Sequence, residues 1–172
     1  FYKLIMENDL SDFDYFALCD QDDIWLKDKL KTAINKMPND DVLGYSSGFT
    51  TYNNKGKTKK YSLGKISTHD FYFQAGGPGC TFVFNKKAMT FIKSYIFKNK
   101  QLLNVLAHDW LLYFILRFNG KRWIIDEDSK IMYRQHSNNV AGVNKGFSAK
   151  FNRLRILFNG WYFHDLKILL NF

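Results

Sequence analysis

The pattern of apolar and polar positions predicts alternating strands and helices. Residues 1–10 read as the end of a helix, broken at Ser11-Asp12, and 14–19 as a buried strand. Leu30, Ala33, Ile34 and Met37 recur at helical spacing, which predicts an amphipathic helix over 27–37, ended by Pro38. A second short strand is predicted over 42–46. The stretch 51–68 carries Lys55, Lys57, Lys59, Lys60 and Lys65 with no acid, and reads as an exposed loop or hairpin. A strand over 81–84 leads into a helix from about 86 to 97. Residues 102–118 are almost wholly apolar and read as a buried helix, interrupted by His108-Asp109. Short strands over 123–125 and 131–133 flank Asp126-Glu127-Asp128, which reads as a solvent-facing acidic turn.

After Gly142 the character changes. Phe147, Phe151, Leu154 and Phe158 share one helical face, with Lys150, Arg153 and Arg155 elsewhere on the helix. Such a basic amphipathic tail over 143–172 suits an anionic membrane surface, a partner, or packing on its own domain.

Composition narrows the class. A chain of 172 residues with 46% hydrophobic content is long enough for one real core. Aromatics reach 18%, which fits a thick core, carbohydrate stacking or a membrane interface. The net charge of +9 favours acidic partners such as nucleotide phosphates or anionic lipid. The lysine-rich stretch lacks interleaved aromatic residues, so no nucleic-acid partner is expected. Cys19 and Cys80 have no metal-site spacing and read as buried free thiols of a reducing cytosol. No signal peptide is visible, and no apolar run reaches the roughly 18 residues needed to span a bilayer. The expected location is cytoplasmic, or peripheral on the inner face of the plasma membrane.

The densest chemistry follows the first strand. In Asp20-Gln21-Asp22-Asp23-Ile24-Trp25 three carboxylates sit within four residues. Acids that close repel unless a cation or hydrogen-bond donors lie among them. At the carboxyl end of a strand they face the crevice where open α/β sheets bind ligands. Oxygen ligands at this density suit Mg2+ or Mn2+, and a solvated acidic turn is the plain alternative. Gln74-Ala75-Gly76-Gly77-Pro78-Gly79-Cys80 is a tight turn without the Lys-Ser/Thr of a P-loop. It reads as a close backbone approach to a ligand, or simply as a turn. Asp109, in its apolar setting, reads as a general base or as a helix cap or salt-bridge partner.

Taken in order, Asp20-Gln21-Asp22-Asp23-Ile24-Trp25, Gly79-Cys80 leading to Phe84-Asn85, His108-Asp109-Trp110, and Tyr133-Arg134-Gln135-His136 with Asn138-Asn139-Val140 resemble bacterial family 2 glycosyltransferases of the rhamnosyltransferase-like branch. The likeness covers roughly 1–142. It implies a GT-A fold, with a mostly parallel sheet, flanking helices and an N-terminal nucleotide-binding part that is missing here. It also implies metal-dependent, inverting transfer of a sugar, rhamnose among the candidates. The sugar would move from a nucleotide-diphosphate donor to a saccharide or lipid-linked acceptor in cell-surface polysaccharide synthesis.

Under the resemblance, Asp20 and Asp22 match the DxD pair, the second acid holding the metal on the donor diphosphate. Asp23, Arg134 and His136 fall on the donor side. Asp109 matches the base toward the acceptor hydroxyl. Gly79, Cys80, His108 and Trp110 fall on the acceptor side. Lys27 stands where the family often has Pro, which alters only the start of the next helix. A phosphate-handling enzyme using Asp20 as nucleophile fits less well, because Ile24-Trp25 breaks its pattern. A non-catalytic basic module binding anionic surfaces is the third reading.

Overall fold

The computed structural model describes residues 1–37, 43–53, 56, 58–135 and 160–172. Its helices are α1 (Tyr2–Glu7), α2 (Lys29–Lys36), α3 (Lys86–Lys98), α4 (His108–Phe118) and α5 (Trp161–Leu170). Its strands are β1 (Tyr15–Ala17), β2 (Ile24–Trp25), β3 (Leu43–Tyr52), β4 (Thr58–Tyr61), β5 (Val83–Asn85) and β6 (Arg122–Arg134). Short 3-10 turns fall at Asp70–Tyr72, Gly79–Thr81 and Lys100–Asn104.

The strands form one curled sheet in the order β1-β5-β3-β6-β2, with β4 paired to the far half of β3. The pairing of β3 with β6 is parallel, and every other pairing is antiparallel. The sheet is therefore mixed, where a mostly parallel one was expected. The reason is β5, which runs antiparallel between β1 and β3, so that β1, β3 and β6 share a direction without all being neighbours. This α/β architecture is compatible with a glycosyltransferase fold.

The alternation along β5 separates two cores. Phe82 and Phe84 join the larger one with α3 and α4, while Val83 faces Ala33, Met37, Leu43 and Tyr45. Helix α4 is buried from Trp110 to Leu116, so its hydrophobicity all round is satisfied by full enclosure. Trp123 sits at the centre, with Phe82, Phe84 and Tyr113 presenting edges at 4.8, 5.8 and 4.9 Å. Its indole N–H donates to Ser46 Oγ at 3.0 Å, and that hydroxyl donates to the Gly76 carbonyl at 2.7 Å. Helix α3 is capped by Asn85, whose Oδ1 accepts the Ala88 N–H at 2.8 Å, a device that contributes about 1 kcal/mol.

Three local expectations change. The two strands expected around Asp126-Glu127-Asp128 are one strand, β6, with a register shift opposite Ser47-Gly48. Asp126 is buried, not solvent-facing: Tyr45 donates its hydroxyl to Oδ2 at 2.8 Å, and Lys36 Nζ lies 2.8 Å from the same oxygen. The irregularity fits because Gly48 has no side chain, as a Cβ there would stand 2.8 Å from the Glu127 carbonyl oxygen.

The apolar run 102–118 is likewise two elements. A 3-10 turn covers Lys100–Asn104, and α4 begins only at His108. His108-Asp109 therefore open a helix instead of interrupting one. An acid in a first turn complements the free N–H groups there. In α2 the buried stripe is Lys29 and Ala33, continued by Met37, while Leu30 is exposed.

The tail expectation divides. Phe147, Phe151, Leu154, Phe158, Lys150, Arg153 and Arg155 lie outside the described residues. Helix α5 is described and packs on the main core through Leu169, Leu166, Ile168, Trp161 and Tyr162. Among the described residues no helix is long and apolar enough to cross a membrane.

Candidate functional site

After β1 the chain continues the ladder for one residue, with the Leu18 N–H donating to Phe82 O at 3.1 Å. It then leaves the β1 edge and reaches the opposite edge as β2, which pairs with β6. The acids lie in this crossing, at the carboxyl ends of the parallel strands. Asp23 Oδ1 accepts the Arg134 N–H at the end of β6 at 3.0 Å. The Asp22 carbonyl accepts the Tyr52 hydroxyl, from the end of β3, at 3.2 Å. This is the placement that an apolar strand running into acids predicts.

One atom of each of Asp20, Asp23 and Cys80 lies within 4.8 Å of the others, a grouping that could hold a metal ion. Asp22, the expected principal ligand, is not in this group. Asp23 Oδ2 is shut off from solvent without a hydrogen-bond partner. Burial pushes the Asp23 carboxyl above the usual range, and the Asp20 and Asp22 charges push the same way. The neighbouring Cys80 thiol and the Arg134 N–H act against that shift. Burial raises Cys80 strongly, with Asp23 and Asp20 adding to it, so the thiol keeps its proton. Two carboxylates, one with an unpaired buried oxygen, are a donor set that fits an oxygen-seeking divalent cation.

On the other side of the same turn stands the second constellation. Burial raises the Asp109 carboxyl, against the pull of His108 and of the Trp110 and Gly79 N–H groups. Asp109 Oδ1 accepts the Trp110 N–H at 2.8 Å. Burial lowers His108, while Asp109 and Asp20 pull it back up. The Asp20 charge thus reaches His108 across the site. The His108 ring also stacks on Phe1 at 3.9 Å.

Gly79 and Cys80 join the two halves. Cys80 sits with Asp20 and Asp23. A Cβ on Gly79 would lie 2.8 Å from His108 Nε2 and 3.3 Å from Asp109 Cβ. Glycine is required here because the turn must press its backbone against the start of α4.

The remaining expected residues separate. Trp110 is 3% exposed, its indole N–H donates to Phe71 O at 2.8 Å, and its ring stacks on Tyr162 at 5.0 Å. It belongs to the core and offers no face to an acceptor. Arg134 is placed through its backbone. His136 lies outside the described residues.

The sequence reading missed Lys29. It is 1% exposed, its Nζ has no hydrogen-bond partner, and that Nζ stands 3.8 Å from the centre of the Trp25 ring. Burial holds its pKa down at about 8. The available signal was the 29-33-37 spacing, which puts Lys29 on the face of Ala33 and Met37.

No protein-family model matches the chain. The chain is 38% identical over 173 aligned positions, 99% of its own length, to the dTDP-rhamnosyl transferase RfbG of Shigella flexneri. It spans 60% of the length of that relative.

Proposed function

We propose that this chain carries the metal-binding and acceptor-activating face of an inverting glycosyltransferase. The donor is a nucleotide-diphosphate sugar, and the acceptor is a saccharide or lipid-linked hydroxyl in surface-polysaccharide synthesis. The observation that carries the reading is the single turn, Gly79-Cys80, that places Asp20 and Asp23 on one side and His108-Asp109 on the other. The resemblance to family 2 enzymes and the similarity to the Shigella protein support it, and the name of that relative makes dTDP-rhamnose the first donor to test.

Asp109 accepts the proton of the acceptor hydroxyl on a carboxylate oxygen. The freed oxygen forms its bond to the anomeric carbon while the bond from that carbon to the diphosphate oxygen breaks. The nucleoside diphosphate leaves with the electron pair, and the configuration inverts because no protein nucleophile intervenes. A carboxyl raised by burial is a better proton acceptor than an ordinary one. His108 beside it pulls the other way, and burial in turn lowers His108 and so limits that pull. Asp20 and Asp23 would hold Mg2+ or Mn2+, which supplies a Lewis acid to the departing diphosphate.

The test is release of dTDP from dTDP-rhamnose by the complete gene product, with and without EDTA. Metal-dependent release that needs both an acceptor and Asp109 supports the reading. Release of inorganic phosphate instead would favour a phosphate-handling enzyme. Salt-sensitive binding to anionic surfaces with no turnover would favour the basic module.

A further inference from the structure

The turn that leads into α4 has no cap of its own. Its N-cap position is Ala107, which has no side-chain acceptor. The two residues before His108 nonetheless have their N–H groups satisfied from another helix. Asp165 of α5 accepts the Leu106 N–H on both oxygens, at 2.9 and 3.1 Å, and the Ala107 N–H on Oδ2 at 2.9 Å. Its carboxylate is fully buried, and besides these amides it meets His164 Nδ1 at 3.0 Å. A buried carboxylate is costly unless its charge is matched by several donors, and here they are main-chain donors of one short segment.

The same helix grips α4 again just past Asp109, where Tyr162 stacks on Trp110 and donates its hydroxyl to Phe73 O at 3.1 Å. From the other side, Tyr2 donates its hydroxyl to Val105 O at 2.7 Å. His108 and Asp109 thus lie between two points of attachment to α5.

We infer that Asp165 is a positioning residue for Asp109: by binding the Leu106 and Ala107 amides it fixes where the first turn of α4 presents the Asp109 carboxylate to Gly79. The catalytic part of this inference rests on the reading of Asp109 as a base. Asp165 itself touches no reacting atom.

The experiment compares Asp165→Ala and Asp165→Asn in the complete gene product, each alone and combined with Asp109→Asn. Asn keeps one acceptor oxygen and guards against an Ala variant that fails to fold. Displacing a base by about an ångström costs on the order of 10²-fold in rate, so kcat should fall by that order in the Ala variant and less in the Asn variant. The donor KM should not change. In the Asp109→Asn background, Asp165→Asn should cause no further loss. Losses that multiply in the double variant would overturn the inference, because a merely structural role lowers both proteins alike.

Two readouts stand apart from turnover. Hydrogen exchange at the Leu106 and Ala107 amides should accelerate in Asp165→Asn, and the Asp109 carboxyl titration followed by NMR should move. If both stay as in the parent protein, Asp165 does not position Asp109. If the parent shows no transfer at all, the proposed function falls, and the exchange and titration measurements still decide the role of Asp165.

Discussion

Asp23 Oδ1 accepts the backbone N–H of Arg134 at 3.0 Å, across 111 residues of chain. The bond fixes the acidic crossing to the end of β6 and leaves Oδ2 of the same carboxylate unpaired. A group that is half structural and half free is suited to hold a cation in a set place. The geometry therefore favours Asp20 and Asp23 as ligands over the Asp20 and Asp22 pair expected from the motif. In calorimetric titrations with Mn2+, Asp20→Asn and Asp23→Asn should each weaken binding by more than about tenfold, and Asp22→Asn by less. An Asp22→Asn variant that alone abolishes binding would return the principal role to Asp22.

Asp109→Asn should lower transfer by about 10²–10⁴-fold, the usual effect of losing a base, while donor binding persists. The pH profile carries a second signature. As the proposed base, Asp109 works when deprotonated, and burial raises its carboxyl. The wild-type rate should therefore rise with pH and level off only above the ordinary carboxylate range. An acid limb at the model-peptide value for aspartate would assign the limb to another group.

Lys29 makes stability depend on pH in the alkaline range. The folded amine loses its proton near pH 8, and the unfolded one near 10.5. Between those values the unfolded chain binds more protons, so folding stability should rise with pH and should be at its lowest, and constant, below pH 8. The full effect is about 3 kcal/mol. Lys29→Met should flatten the rise in denaturant titrations. The buried Cys80 thiol opposes this rise from about pH 9, so the Lys29→Met difference is the measure, and a variant whose curve parallels the wild type from pH 8 to 10 would show that the amine has an unseen partner.

Asp126→Asn should destabilise the fold by about 1–3 kcal/mol, because it weakens the acceptor of a buried Tyr45 hydroxyl and removes the ion pair to Lys36. Burial raises the Asp126 carboxyl, yet the Lys36 and Tyr45 bonds outweigh it and hold the group low. That stability is present above the ordinary carboxylate pKa and is lost as the pH falls through the lower, folded value. Equal acid sensitivity of wild type and variant would remove Asp126 from the account.

How much of this was legible follows from where each residue finds its partners. Helix α3 was readable because its cap, Asn85, and its apolar stripe are local. The place of the Asp20–Asp23 segment beyond the carboxyl end of β1 was readable because an apolar run that turns abruptly acidic marks a strand end. The continuity of β6 was not, since Asp126 looks like a turn residue until Tyr45, 81 residues away, accounts for it. The start of α4 was hidden for the same reason, as its donors are met by Asp165 some 58 residues later. Trp110 looked available for an acceptor because nothing in its own segment announces Tyr162. Local patterns gave most of the elements, and several of the misreadings fell on polar or aromatic groups paired at long range.

The strand β2 is only two residues long, and the acidic crossing hangs between it and β1. Two ladder pairs, Ile24 with Met132 and Trp25 with Ile131, hold that end, whereas the helical layer is enclosed by Trp123 and the length of α4. The acidic crossing, the proposed cation site, is therefore the part with the least to lose on opening. Under mild denaturant, any cation binding at the crossing should disappear while the helical circular dichroism is still intact, so a binding measurement would report damage to this protein well before any measure of its fold.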